Sequence, residues 1–208
     1  MDFDHILATT PAVRRKLDLT RPVETEVLAE CLELALHAPS PANQQSWRWI
    51  VVRDQQVKNR LGKLFREIGL PYLEQYRPLA EADPTFARSF ASGRHLIDVI
   101  DQVPVFVVPC VEGRPTGNNA SDAVLYGGIF PAVWSFLLAL RSRGLGAPIT
   151  SYHLQAEAEA AEILGVPEGY SQACLLPVAY TTTRDFKPTP RRPVSEVASL
   201  DHWDNPLL

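Results

Sequence analysis

Apolar residues recur through Val23 to Ala38 at Val27, Leu28, Cys31, Leu32, Ala35 and Leu36, the spacing of one helical face, and Pro39 marks where that helix stops. The run Trp49 to Val52 predicts a strand over 48–53, followed by a helix over 55–67. Between Gly69 and Pro84 no period decides the element, and helical spacing resumes over Phe86 to Asp101. Val103 to Val111 reads VPVFVVPCV, apolar and β-branched without alternation, as in a strand buried on both faces. The 18 residues Ala123 to Leu140 carry no formal charge, which reaches the lower limit for a membrane-spanning helix. Gly127, Gly128 and Pro131 interrupt that stretch, and Arg141 and Arg143 follow it at one end only. It therefore reads as a fully buried core helix, apolar all round, and no membrane is expected as a partner. Strand 147–152, helix 155–164 and strand 172–180 complete the order. Such irregular alternation predicts α/β or α+β with a central mixed sheet.

At 208 residues the chain suits a single domain, 1–208, with a sizeable core. A net charge of -4 and a pI near 5.7 argue against nucleic acid as a partner, which calls for a basic face. Cys31, Cys110 and Cys174 are far apart, form no CxxC pair and sit in apolar stretches. They read as small buried hydrophobes in a reducing compartment, not as a metal site or disulfide framework. The opening Met1-Asp2-Phe3-Asp4-His5 has no basic region ahead of an apolar one, so no secretory leader is visible and a cytoplasmic location is the expectation.

Candidate chemistry begins at APSPANQQSW, Ala38 to Trp47, where side-chain amides crowd a helix-to-strand junction. Each amide offers a donor and an acceptor, enough to hold a planar polar heterocycle. The same amides could equally satisfy their own loop. Four segments in order resolve this: Val13-Arg14-Arg15, then APSPANQQSW, then GLGAPITSYH (Gly144 to His153), and RRPVSEV (Arg191 to Val197). Together they span nearly the whole chain and resemble the FMN-dependent nitroreductase family, in particular a branch beginning Thr-Thr-x-x-Val-Arg-Arg before Leu-Asp-Leu, as Thr9 to Leu19 does here.

The resemblance implies an α+β fold with helices around a mixed, mainly antiparallel sheet, and an intertwined homodimer with FMN at the subunit interface. It implies NAD(P)H as electron donor and a small planar acceptor, a nitroaromatic or quinone, served in turn at one ring face by a ping-pong mechanism. For the FMN phosphate, which favours guanidinium groups, it points to Arg14 and to Arg191 or Arg192, with Arg15 a weaker candidate. For the ring and ribityl chain it points to Ser40 and Asn43, shaped by Pro39 and Pro41; Trp47 reads as core packing. For flavin N5 and the ring face it points to Gly146, Ala147, Thr150 and their neighbours. Pro148 has no amide to donate, which leaves a nearby amide or hydroxyl as the N5 donor. A Gly-Leu-Gly at this place is equally a helix C-cap before a strand.

One position departs from the family. Pro11 stands where a basic side chain is expected, and a lost charge-assisted bond of roughly 1.5 to 3 kcal/mol implies weaker FMN retention. The section 69–93 reads as a lid, with Tyr72, Tyr76 and Phe86 facing the pocket or packing within the lid. The proline-rich 183–208 reads as an extended C-terminal arm docked through Trp203. His153 is read as structural or surface, and no HExxH, catalytic triad, phosphate loop or metal-ligand set is present. A non-catalytic flavin-sequestering homodimer, and a degenerate one without flavin, remain as alternatives.

Overall fold

A computed structural model describes residues 3–208, so Met1 and Asp2 of the segment read for a leader lie outside the described residues. The chain order is α1 (Phe3–Ala8), α2 (Thr25–Ala35), β1 (Trp47–Val52), α3 (Gln55–Glu74), α4 (Arg77–Ala82), α5 (Pro84–Val99), β2 (Val105–Glu112), α6 (Asn119–Ser142), β3 (Leu145–Gly146), α7 (Glu157–Leu164), β4 (Tyr170–Gln172) and β5 (Leu176–Tyr180).

β2 is central because both of its faces are apolar. Val105, Val107 and Val111 join one core with Leu28 and Cys31 of α2 and Ile129, Val133 and Phe136 of α6. Phe106, Val108 and Cys110 join a second core with Leu61 and Phe65 of α3, Leu96 and Ile97 of α5 and Ala160 of α7. The sheet thus lies between two helical layers, in the strand order β1-β2-β5-β3 with β4 also on β2. Every pairing between these strands is antiparallel, so the sheet is less mixed than the sequence suggested. Pro109 marks where the outer partner of β2 changes from β5 to β4. Its carbonyl accepts from Ala173 N–H at 2.9 Å, and its missing donor falls on that same side, where no strand pairs with it.

The section 69–84, whose element the sequence left undecided, is helical: α3 runs through Pro71 to Glu74, and α4 and the start of α5 follow. Gly69 is required there because a Cβ would lie 2.8 Å from the Tyr152 ring. The strand expected over 147–152 is reduced to β3 and an isolated bridge between Thr150 and Leu175. Pro148 lacks the donor to continue a ladder, and the chain then turns into a short 3₁₀ segment, Tyr152–Ala156.

α6 is unbroken through Gly127, Gly128 and Pro131, and by length and composition it is apolar enough to cross a membrane. It is not buried all round, however. Ala120, Val124, Gly127 and Trp134 form an exposed stripe opposite the face packed on α2 and β2, at the three-to-four spacing of one helical side. The arm after Tyr180 contributes no buried residue. Its last ten residues fold on themselves through the Ser199–Pro206 bridge, and along the arm Val194, Val197, Leu200 and Trp203 are exposed, Trp203 at 91%.

Candidate active site

Val13 and Leu17 are buried and anchor the N-terminal segment on the second core, which carries Arg14 to the mouth of a cavity of about 310 Å³. Thr150, Ser151 and Tyr152 form one wall, and Phe86, Ser89 and Phe90 of α5 face them. Gly146 fixes the approach of the segment: a Cβ there would lie 2.8 Å from Val13 Cγ2 and 3.0 Å from Thr181 Cγ2. Arg14 has no carboxylate partner among the described residues. Burial lowers its pKa, opposed by the neighbouring Tyr152, and burial likewise raises the Tyr152 phenol against the pull of Arg14. A half-buried cation without an acid is costly in isolation, so this cavity is electrostatically prepared for an anion.

Aromatic rings line the approach. Phe65 meets Tyr152 at 5.0 Å between centroids, Tyr152 meets Tyr72 at 5.6 Å, Tyr72 meets Tyr76 at 5.4 Å and Tyr76 meets Phe86 at 6.2 Å. The Tyr72 and Tyr76 hydroxyls lie 3.1 Å apart. The lid aromatics therefore pack on one another and, through Phe86, also face the cavity.

Thr150 is committed to structure. Its N–H and its hydroxyl both donate to the Leu175 carbonyl, at 3.0 and 2.7 Å. The N–H groups of Ile149 and Ser151 and the Ser151 hydroxyl have no acceptor among the described residues, and both residues line the cavity.

The amide-rich loop lies elsewhere on the chain. Ser40 borders a separate cavity of about 140 Å³ with Pro41, Arg114 and Gly128. Ala42, Asn43 and Gln45 all have positive φ, 49°, 53° and 50°, a conformation costing on the order of 1–3 kcal/mol for residues other than glycine and found preferentially at functional sites. Ser40 Oγ accepts from Gln45 N–H at 3.2 Å and Asn43 Oδ1 accepts from Gln45 Nε2 at 3.0 Å. The loop is thus braced by its own amides, while the Ser40 hydroxyl hydrogen and Asn43 Nδ2 find no acceptor among the described residues.

Of the residues singled out in the sequence, the structure brings together Arg14 and Thr150. Gly146 and Ala147 are buried and line a small cavity of about 10 Å³ with Pro11, Val13 and Arg141. Arg15, Arg191 and Arg192 are exposed, as are Pro39 and Asn43, while Ser40 is half-buried. Sequence reasoning missed Ser89, Phe90 and Tyr152 in the cavity wall, and Arg141. Tyr152 lies inside the GLGAPITSYH segment, and Arg141 is the charge ending an 18-residue uncharged stretch.

Two polar features stand apart. Arg114 holds Glu157 through two bonds of 2.8 Å; burial raises the Glu157 carboxyl, but bonds from Arg114 and the Gln172 N–H prevail and lower it. His153 is wholly buried with neither ring nitrogen partnered, and burial pushes its pKa down to about 4 against the opposing charge of Glu157. Among the described residues no group of His, Cys, Asp and Glu side chains could hold a metal ion.

Known proteins resemble this chain in sequence and in fold. NADH dehydrogenase of Thermus thermophilus is 27% identical over 85% of this chain and 85% of its own length. The 4-nitrobenzoate reductase of a Nocardioides species is 24% identical over 98% of this chain and 91% of its own. Iodotyrosine deiodinase 1 of the pig is 24% identical over 84% of this chain, which spans 61% of that protein. Among solved structures, an oxidized iodotyrosine deiodinase bound to FMN and 3-iodo-L-tyrosine superposes with a TM-score of 0.73 at 21% identity, covering 96% of this chain and 98% of that one. A nitroreductase-like protein of Bacillus cereus gives 0.69 at 19% identity, covering 96% of each. The fold is therefore nitroreductase-like. The Nitroreductase family model matches residues 12–180, the span running from the Arg14 segment to the end of β5, and the chain belongs to that family.

Proposed function

We propose that a homodimer of this chain is an FMN-dependent oxidoreductase, taking electrons from NAD(P)H and reducing a small planar aromatic acceptor. The observation that carries this reading is Arg14, a half-buried cation without an acid partner in an aromatic-walled cavity of about 310 Å³. That chemistry fits a flavin at the cavity: a guanidinium for its phosphate, and unbonded Ile149 and Ser151 donors for its ring edge. When bound, FMN supplies the redox chemistry, accepting electrons from the nicotinamide and passing them on.

The chain's own residues do the rest. Arg14 binds the phosphate with Arg191 or Arg192, and Arg15 assists. The section 69–93 acts as the lid, in which Phe86 and Phe90 exclude water and orient the acceptor ring. Ser40 and Asn43, held by Pro39 and the strained loop, offer a hydroxyl and an amide to the flavin of the opposite subunit, since on one chain Ser40 borders a different cavity from Arg14 and Asn43 lines neither. Gly146 and Ala147 set the backbone beneath Val13, and Thr150 holds the ring-facing loop to Leu175.

Dimerisation also accounts for the exposed apolar surface. The α6 stripe at Val124, Gly127 and Trp134 and the arm's Val194, Val197, Leu200 and Trp203 give a second copy apolar area to cover. As for the acceptor, two relatives are named for reactions on substituted single aromatic rings, 4-nitrobenzoate and iodotyrosine.

The test is the visible spectrum of purified protein before and after incubation with FMN, then anaerobic NADH or NADPH, then an acceptor: a quinone, 4-nitrobenzoate or 3-iodotyrosine. Retained flavin that bleaches and returns is the expected result. Retained flavin that nicotinamide cannot reduce would make the protein a flavin sequestrant, and no retained flavin would overturn the reading.

A further inference from the structure

Thr9 and Arg184 lie near opposite ends of the chain and meet on one side chain. Arg141, in the last turn of α6, is 2% exposed. Its Nε–H donates to the Thr9 carbonyl at 3.2 Å and an Nη2–H to the Arg184 carbonyl at 2.9 Å. The guanidinium carbon stands 4.8 Å from the centre of the Phe186 ring. Among the described residues no carboxylate pairs with Arg141 and its Nη1 has no acceptor. The carbonyl end of α6 favours a cation, but a buried guanidinium without an acid is weak evidence for net stability. It contributes geometry instead.

The geometry is that of two cationic segments. Arg14 lies between two ties: Thr9, held by Arg141, and Leu17, bridged to Thr181. The second tie is firm, because Thr182 N–H donates to the Lys16 carbonyl at 2.9 Å and Thr181 N–H to the Gly144 carbonyl at 2.9 Å. The arm carrying Arg191 and Arg192 leaves from the same place, and the Arg184 carbonyl and the Phe186 ring, both on Arg141, tie it to α6 before the exposed stretch begins. Arg141 hydrogen-bonds the N-terminal segment ahead of Arg14 and the arm ahead of Arg191 at once.

We propose that Arg141 is a positioning residue for the phosphate end of the flavin site, fixing Thr9 and Arg184 to one fork so that Arg14 and the Arg191–Arg192 pair stand at a set separation. This rests on the FMN reading above. Arg141 is buried and touches no ligand itself. Lysine replaces it only in part, because a single ammonium on a flexible stem lacks the planar fork that holds two carbonyls in fixed directions.

The experiment compares Arg141→Met and Arg141→Lys with the unaltered full-length protein. Amide hydrogen exchange without flavin reads the segments 9–17 and 181–185, which hold the bonded amides beside the two ties, fluorescence titration gives affinities for FMN and riboflavin, and thermal unfolding reads stability. Arg141→Met is expected to speed exchange in both segments about tenfold and to weaken FMN about tenfold. Riboflavin, which lacks the phosphate, keeps its affinity, Tm stays within a few degrees, and Arg141→Lys is intermediate. Unchanged FMN affinity, or an equal loss for both flavins together with a fall in Tm, overturns the proposal. Should Arg141→Met not fold, Arg141→Lys makes the same comparison with the charge kept. If the unaltered protein binds no FMN, it is the FMN reading that fails. Exchange then decides alone: acceleration confined to both segments upholds the tie, and no change overturns it.

Discussion

The carbonyl of Leu175 receives two hydrogen bonds from Thr150, one from its N–H at 3.0 Å and one from its hydroxyl at 2.7 Å. A carbonyl has two lone pairs, so this doubled bond satisfies both residues and turns Thr150 away from donor duty at the cavity. Ser151, the next residue, is exposed and unbonded through its side chain. Thr150→Val is therefore expected to lower stability by about 0.5 to 1.5 kcal/mol and to leave anaerobic flavin reduction within twofold. Ser151→Ala should do the reverse, leaving Tm unmoved and slowing reduction roughly tenfold, or about 1.4 kcal/mol in the barrier. Stopped-flow reduction and thermal melts on both variants check this. A slow Thr150→Val with an unaffected Ser151→Ala would exchange the two roles.

Arg14 has no carboxylate to orphan, so its removal should separate stability from binding. Arg14→Gln is expected to keep or slightly raise Tm, because a half-buried charge is removed. FMN affinity should fall ten- to a hundredfold, the equivalent of about 1.5 to 3 kcal/mol for one charge-assisted bond. Riboflavin affinity should hold. Fluorescence titrations with both flavins decide the matter, and an equal loss for both would place Arg14 at the ring instead of the phosphate.

What the sequence made legible follows from how local each signal is. The helix ending near Ala38, the doubly buried strand around Val107 and the helix beginning near Gln155 were readable because apolar period and length decide them. The 69–84 helices were hidden by Gly69 and Pro71, whose placement depends on Tyr152 and the remote cavity wall. The strand expected at 147–152 shrank to a single bridge, Thr150 to Leu175, because Pro148 lacks the amide to continue a ladder. Arg14 and the amide loop were readable only through their order along the chain. Their separation into two cavities is tertiary, and no period in the sequence carries it.

The exposed side of α6 leads to a prediction about assembly. Trp134 is 40% exposed and Val124 52%, on a helix whose other face is core. A carboxylate at 134 would be buried without a partner in a dimer that uses this stripe, at a cost of about 3 to 5 kcal/mol, enough to weaken association by at least a hundredfold. Trp134→Glu is therefore expected to be a folded monomer by light scattering, and to lose FMN because the Ser40–Asn43 loop of a second subunit is gone. A wild-type protein that is itself monomeric at micromolar concentration would refute the dimer, and a monomeric Trp134→Glu that still holds FMN would refute the shared site.

His153 supplies the pH dependence. It is wholly buried, its ring nitrogens have no partners, and burial pushes its pKa from 6.5 down to about 4. The unfolded chain then binds a proton that the folded chain refuses between those values. Stability from this residue is complete above pH 6.5 and is lost as pH falls from 6.5 toward 4, by about 3 kcal/mol in all. Glu157 acts lower down: its carboxyl is lowered on folding, so its contribution is present above its unfolded value and fades only as pH drops through the folded one. Urea unfolding at half-unit steps from pH 7.5 to 4 should show the wild-type midpoint falling from about pH 6.5 downward. In His153→Leu, which removes the titrating ring and both orphan nitrogens, the midpoint should stay level until the carboxylates begin to protonate. A wild-type midpoint that does not move above pH 5 would mean that His153 accepts its proton without unfolding the core, and equal slopes in both proteins would assign the acid sensitivity to the Arg114–Glu157 pair.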